Sequence, residues 1–161
     1  MVEEAAAPSL ARAGSVVPVS CHQSESAVLA APIDSVWALV KELRLNELIP
    51  GKVKSVSWTG APGQVESIAS IEYNDGAKWE VLVTEVSNLR HSIGYSILST
   101  EPAHSVTSMQ SIITLRPITS TSHTFIEWST DFSNDADANI IQDQHFKKLE
   151  FFTDMAAKFA A

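Results

Sequence analysis

Glu85 and Tyr95 are the side chains of this sequence whose types and positions could support proton transfer. The residues at alternate positions before Glu85 are all apolar: Trp79, Val81 and Val83. A strand here would place the carboxylate on an apolar face, where burial raises its pKa toward the range of a general acid or base. Tyr95, in the next segment, would donate a hydrogen bond. The alternative is that the strand ends near Glu85 and the side chain reaches solvent.

Metal and cofactor chemistry has little support in the sequence. The five histidines are scattered and form no spaced ligand set with cysteine or carboxylates: His22, His91, His104, His123 and His145. A glycine-rich phosphate loop and a nucleophile elbow are also missing from the sequence. We therefore predict no metal site and no cofactor. Cys21, the single cysteine, is interpreted as incidental rather than nucleophilic.

The composition is that of a globular protein and argues against several kinds of partner. The 161 residues fit one domain, with 45% hydrophobic and 19% charged residues. A net charge of -8 disfavours nucleic acid and anionic membrane surfaces, which attract clustered basic residues. No apolar run approaches the roughly 18 residues of a membrane span. Without a secretory signal pattern or an internal disulfide, the chain is predicted to be cytoplasmic.

The periodicity of apolar residues predicts a folded domain that follows an N-terminal tail. Residues 1–22 are rich in Ala, Ser and Pro and are predicted to be disordered, which leaves the domain at residues 23–161. A strand at residues 24–30 is expected to lead through Pro32 into an amphipathic helix that begins at Ile33.

Alternating segments and turn residues predict the remaining elements. Asn74-Asp75-Gly76 is a hairpin signal, and the polar residues 134–137 can cap the last helix. The further predicted helices span residues 43–49 and 138–159, and the further predicted strands span residues 53–58, 65–73, 78–86, 90–99, 107–116 and 123–132.

One face of these strands is mostly apolar and aromatic, which is typical of a small-molecule pocket. Besides Glu85 and Tyr95, the residues predicted to bind a ligand from the sheet are Trp79, Val81, Val83, Ile97, Met109, Ser111, Ile126 and Trp128. The last helix is predicted to contribute His145, Phe152 and Met155 from an apolar stripe that also includes Ile141, Leu149 and Phe159. The alternative is a dry core in which the sheet packs directly on the helix.

The order of elements, together with Ala31-Pro32, Val36-Trp37 and Glu127-Trp128-Ser129, resembles the START-related superfamily of the birch pollen allergen. That superfamily includes polyketide cyclase-like proteins, lipid-transfer domains and abscisic acid receptors, and the resemblance covers residues 24–160. It implies an α+β helix-grip fold. In that fold a curved seven-stranded antiparallel sheet, two short helices and a long C-terminal helix enclose a cavity.

Two branches of the superfamily bear on individual residues. The chain is similar to the lachrymatory factor synthase branch, whose pocket glutamate, tyrosine and tryptophan correspond to Glu85, Tyr95 and Trp128. The arginine of that branch has no counterpart, since no arginine lies between residues 45 and 89, and that specific activity is not expected. Lys52 or Lys54 would correspond to the ligand-gripping lysine of the hormone receptors if either points inward.

These observations favour binding of a small hydrophobic ligand, such as a lipid, sterol, polyketide or phenolic, by a carrier or sensor. The alternative is a cofactor-independent cyclase, isomerase or lyase in which Glu85 is the general acid or base. A third hypothesis is a protein-binding module, although the sequence carries no distinct interface signature and identifies no protein partner.

Overall fold

The computed structural model describes residues 21–160, which form one sheet and three helices. The strands are β1 His22–Leu29, β2 Val53–Thr59, β3 Ile68–Tyr73, β4 Lys78–Ser87, β5 Ser92–Glu101, β6 Met109–Ile118 and β7 His123–Phe132. The helices are α1 Ile33–Val40, α2 Leu45–Leu48 and α3 Ala138–Ala160. This is the order of elements that the sequence predicts.

The seven strands pair antiparallel in the order β1-β7-β6-β5-β4-β3-β2. Strands β2 to β7 are neighbours in chain order, and the last of them, β7, also pairs with the first strand, β1. Register shifts interrupt the β2–β3 and β4–β5 pairs, and such bulges bend the strands that contain them. The register places four residues in one row across β1, β7, β6 and β5: Gln23, Thr130, Ser111 and Tyr95. Directly opposed residues share a face of the sheet, so this row presents its side chains together.

Helix α1 contributes to the core through the residues that mark it in the sequence. Pro32 is the residue before the first helical turn, and the helix buries Val36, Trp37 and Val40. The indole nitrogen of Trp37 donates to the Oδ1 atom of Asn88, at 3.0 Å, which ties the helix to the turn between β4 and β5. This tryptophan is therefore a structural residue.

Helix α3 is capped as expected but buries a different face from the predicted one. The Oδ1 atom of Asp137 accepts a hydrogen bond from the backbone nitrogen of Ile140, at 2.9 Å. The expectation that His145 and Leu149 face the core is wrong, because His145 is half-exposed and Leu149 is exposed. The buried residues are Ile141, Gln144, Lys148, Phe151, Phe152 and Met155.

Two element boundaries differ from the predicted ones. Strand β1 begins at His22, and Cys21 already accepts a backbone hydrogen bond from Phe132, at 2.8 Å, so the sheet includes the end of the predicted tail. The remainder of that tail, residues 1–20, lies outside the described residues. Strand β3 begins at Ile68 rather than at residue 65, because Ser67 closes a turn onto Gln64. Among residues 21–160, no helix has the length and apolar character needed to cross a bilayer.

Candidate functional site

A cavity of about 300 Å³ lies between the sheet and helix α3. Its apolar walls come from α2, three strands and α3: Leu45, Ile71, Tyr73, Trp79, Val81, Trp128 and Phe151. The volume is at the lower end of the range found for small-molecule pockets, which is about 300–1,000 Å³. The sheet and the helix therefore border a hollow and do not pack together as a dry core.

Aromatic rings form one continuous wall of this cavity. Phe151 on α3 is stacked on Tyr73 at a centroid distance of 6.3 Å and tilted against Trp128 at 5.8 Å. Tyr73 also meets the edge of Trp79 at 6.1 Å. Such contacts hold large side chains in fixed orientations, so the wall is preformed for an apolar or aromatic ligand.

The deeply buried end of the cavity is polar. Ser111 and Thr130 share a hydrogen bond of 2.8 Å between their hydroxyl oxygens. The indole nitrogen of Trp128 donates to the Tyr95 hydroxyl at 3.0 Å. Burial raises the pKa of Tyr95 to about 12, so this phenol keeps its proton at neutral pH and can donate it to a ligand.

Lys148 is a fully buried cation at this polar end. Its side chain lines the cavity and is 2% exposed. The ammonium donates to the Oγ1 atom of Thr130 at 2.7 Å and to the Oε1 atom of Gln23 at 2.9 Å, and it lies 5.9 Å from the centroid of the Trp128 ring. Burial lowers its pKa to about 8, an effect that the charge of Glu25 partly opposes. Lys148 therefore remains mostly protonated at pH 7.

A second set of polar side chains links this lysine to the surface. The Gln23 amide nitrogen donates to the Oε2 atom of Glu25 at 2.7 Å. The same oxygen lies 2.6 Å from the Nδ1 atom of His145. His145 thus orients Glu25 outside the cavity and does not line it, contrary to its predicted role as a ligand-binding residue.

Exposed polar residues surround the mouth of the cavity. Lys52 at the mouth pairs with Glu150 of α3 at 3.1 Å, so a salt bridge connects the loop before β2 to the helix. Lys54 is exposed and lies 3.8 Å from Glu72. The question that the sequence left open is therefore decided in favour of Lys52, which lines the mouth but does not reach the buried end.

Residues 20–158 match the family model described as polyketide cyclase / dehydrase and lipid transport. The chain belongs to this family. A comparison with curated protein sequences finds no significant match.

Similar solved structures place this polyketide cyclase and lipid transport family member in the predicted fold. A protein of Nitrosospira multiformis is 21% identical, with a TM-score of 0.73 over 86% of this chain and 95% of that one. XoxI of Bacillus cereus is 19% identical, with a TM-score of 0.74 over 86% and 95%. Major latex-like protein 151 of Panax ginseng is 11% identical, with a TM-score of 0.69 over 86% and 96%. The predicted α+β helix-grip fold is confirmed.

In this family member Glu85 is exposed and does not line the cavity, so the inward position predicted for it is wrong. The reason is the β-bulge at Thr84. Val83 pairs with Tyr95, but Glu85 then pairs with Gly94, and the extra residue turns the carboxylate to the outer face. A Cβ atom at Gly94 would lie 2.8 Å from the Cγ atom of Glu85, which shows that the carboxylate side chain covers this glycine. Glu85 is therefore not placed to act as a general acid or base on a molecule bound in the cavity.

Five of the residues predicted from the sequence meet at the cavity: Trp79, Val81, Tyr95, Ser111 and Trp128. Four others are core residues that do not line it: Val83, Ile126, Phe152 and Met155. Ile97 and Met109 instead line a second pocket of about 210 Å³, beside the loop that precedes β6. Tyr73, Phe151 and Lys148 also line the cavity and were not among the predicted site residues.

Lys148 had a signal in the sequence that a search for apolar residues does not detect. Ile141, Gln144, Lys148, Phe151 and Met155 recur at alternating intervals of three and four residues, which is the spacing of a helix seam. Charged residues are rarely buried, and the expected apolar stripe therefore passed through Leu149 instead. The hydrogen bonds to Gln23 and Thr130, which come from distant parts of the chain, allow the lysine to occupy the buried position.

His104 connects the second pocket to the cavity wall. Its ring meets the edge of the Trp79 ring at a centroid distance of 5.3 Å, and its backbone nitrogen donates to Thr100 Oγ1 at 3.1 Å. Burial lowers the pKa of His104. The loop between β5 and β6, which contains His104, thus packs behind Trp79. Within residues 21–160, no group of three His, Cys, Asp or Glu side chains is placed to hold a metal ion.

Proposed function

We propose that this protein binds a small, largely apolar molecule in the cavity between the sheet and helix α3, as a carrier or sensor. The observation on which the proposal depends is the cavity of about 300 Å³ with preformed aromatic walls and a few convergent polar groups at its buried end. Membership of a family described by polyketide cyclisation and lipid transport is consistent with such a ligand.

The distribution of polarity supports reversible binding. Apolar walls stabilise a ligand by removing its surface from water, at roughly 25 cal/mol per Å² of apolar area. The exposed residues at the mouth, such as Asn74, Asp75 and Glu150, keep the entrance hydrated. Catalysis by Glu85 is not part of this proposal, because that carboxylate lies outside the cavity.

A substitution at the mouth tests the proposal directly. Ala77 is half-buried and lines the cavity, so Ala77→Phe should fill part of it. The matched control is Ala61→Phe, in an exposed turn away from the cavity. Displacement of a fluorescent apolar probe should show binding by the wild type and the control, and at least about tenfold weaker binding by Ala77→Phe.

Native mass spectrometry of the purified protein provides an independent measurement. A bound small molecule that is lost from Ala77→Phe and retained by Ala61→Phe would support the proposal. Equal probe affinity in all three proteins, or no binding by the wild type, would contradict it.

A further inference from the structure

The buried end of the cavity holds a cation without a counter-ion in direct contact. Among residues 21–160, no carboxylate forms an ion pair with Lys148. The nearest acidic partner acts through an intermediate, because the Gln23 amide accepts from Lys148 and donates to Glu25. A buried ammonium that is not matched by a contacting anion is costly, so an anionic ligand would be favoured here.

The donor count at this end supports the same conclusion. An ammonium has three N–H donors, and those of Lys148 to Thr130 and Gln23 account for two. The Tyr95 oxygen accepts from Trp128, and its hydroxyl also has Ser111 as a hydrogen-bond partner, so a ligand acceptor would compete with Ser111 for the Tyr95 proton. The Lys148 ammonium and the Tyr95 hydroxyl can therefore both donate hydrogen bonds to a ligand at the buried end of the cavity.

The negative charges of the cavity lie at the opposite end. The acidic residues in its lining are Asp75 and Glu150, which are both exposed at the mouth. Lys52, which pairs with Glu150, and Lys147 also line the cavity, so its lining away from the buried end carries charges of both signs. The buried end carries the charge of Lys148 alone, which gives the cavity a direction. A ligand with a negative head and an apolar body is best accommodated with its head inward.

We propose that the ligand carries a carboxylate, which accepts hydrogen bonds from the Lys148 ammonium and the Tyr95 hydroxyl while its apolar body lies against Tyr73, Trp79 and Phe151. This inference rests on the proposed ligand-binding function and adds the chemical class of the ligand. Lys148 is then the residue that determines specificity, because the acceptor must be charged to compensate the buried cation.

Three compounds with the same body separate the effect of the head group from that of the apolar surface. These are 4-phenylbutyrate, 4-phenylbutanol and 4-phenylbutylamine, measured by isothermal titration calorimetry near pH 7. We expect the carboxylate to bind at least about tenfold more tightly than the alcohol, and the ammonium compound to bind most weakly. In Lys148→Met the ratio of carboxylate to alcohol affinity should fall to about one.

The control variant is Lys158→Met, which removes the same charge from an exposed position on the same helix, outside the cavity. It should keep the preference for the carboxylate. Loss of the preference in both variants would indicate the net charge of the helix rather than a direct contact, and would overturn the inference. If the wild type binds the alcohol without preferring the carboxylate, this inference fails while the proposed function stands. If it binds none of the three and no apolar probe, the proposed function fails as well.

A measurement on the wild type keeps the inference testable if Lys148→Met does not fold. The preference for phenylbutyrate over phenylbutanol should decline as the pH rises from 7 to 9, because Lys148 loses its proton while the ligand stays ionised. The other titratable groups around Lys148 are Glu25 of β1, Tyr95 of β5 and, on its own helix, His145 and Lys147. The variant His145→Gln should show the same decline. A preference that is constant from pH 7 to 9 would overturn the inference.

Discussion

The indole of Trp128 on β7 donates to the hydroxyl of Tyr95 on β5, across the intervening strand β6. The two side chains reach each other because both rise from the same face of the sheet into the cavity. Ser111, on the strand between them, also lines the cavity. This bond therefore defines the buried end of the cavity and fixes the orientation of both rings.

The ionisation of tyrosine reports on this end of the cavity. The chain has two tyrosines, and burial raises the pKa of both, that of Tyr95 to about 12. In the unfolded chain each phenol ionises near pH 10, so the native state holds protons that the unfolded state loses, and stability falls as the pH rises above about 10.

The corresponding measurement is the near-ultraviolet absorbance of phenolate as a function of pH. The folded protein should show almost no phenolate at pH 10, and the protein in denaturant should show the normal transition. Tyr95→Phe should halve the signal of the unfolded chain. A folded-state transition near pH 10 would indicate that one of the rings is solvated, which contradicts the described cavity.

The burial of Lys148 predicts a second, opposite dependence of stability on pH. The pKa of this amine is about 8 in the folded protein and ordinarily 10.5, so between these values the unfolded state binds more protons. Stability should therefore rise with pH from about 8 toward 10, relative to Lys148→Met. The full interval between the two pKa values corresponds to about 3 kcal/mol.

Chemical denaturation at several pH values between 7 and 10 measures this difference. The free energy of unfolding of the wild type should increase relative to that of Lys148→Met as the pH rises. Lys158→Met, which alters an exposed lysine, should run parallel to the wild type. Parallel curves for all three proteins would mean that Lys148 is solvated in the folded state.

Substitution of Glu85 should have little effect. The carboxylate is exposed on the outer face, so we expect Glu85→Gln to change the free energy of unfolding by less than about 0.5 kcal/mol and to leave probe affinity unchanged. Tyr95→Phe and Trp79→Ala, which alter the lining, should weaken binding of the same probe. Loss of binding or of any catalysed turnover in Glu85→Gln would show that the outer position of this side chain is not the functional one.

Ile126 distinguishes residues that form the core from residues that contact a ligand. Its side chain is fully buried and does not line the cavity, so Ile126→Ala should destabilise the protein by about 2–5 kcal/mol and Ile126→Val by about 0.5–1.5 kcal/mol. Probe affinity per folded molecule should remain that of the wild type. Denaturation and probe titration on the same samples separate the two effects. A drop in affinity without a loss of stability would place Ile126 at the ligand.

Local patterns in the sequence were sufficient to predict the order of the elements. Asp137 caps α3, Pro32 precedes α1, and the Asn74–Gly76 turn joins β3 to β4. Each of these features depends on backbone geometry within a few residues, and the side chains that favour it are adjacent in the chain. The periodicity of apolar residues likewise predicted the sheet and the long helix, because it reflects the repeat of each element.

The sequence could not predict which side chains meet at the site, and Glu85 and Lys148 show why. A single extra residue at Thr84 reverses the face of everything that follows in β4, and that bulge depends on pairing with β5. Several stripes along helix α3 have the spacing of a buried helix face. The stripe that is buried contains Lys148, because Gln23 and Thr130 of the sheet accept hydrogen bonds from its ammonium. The sequence by itself thus determined the elements and their order. Only the tertiary structure decided the strand register, the rotation of the helix and the charge inside the cavity, because all three depend on contacts between residues far apart in the chain.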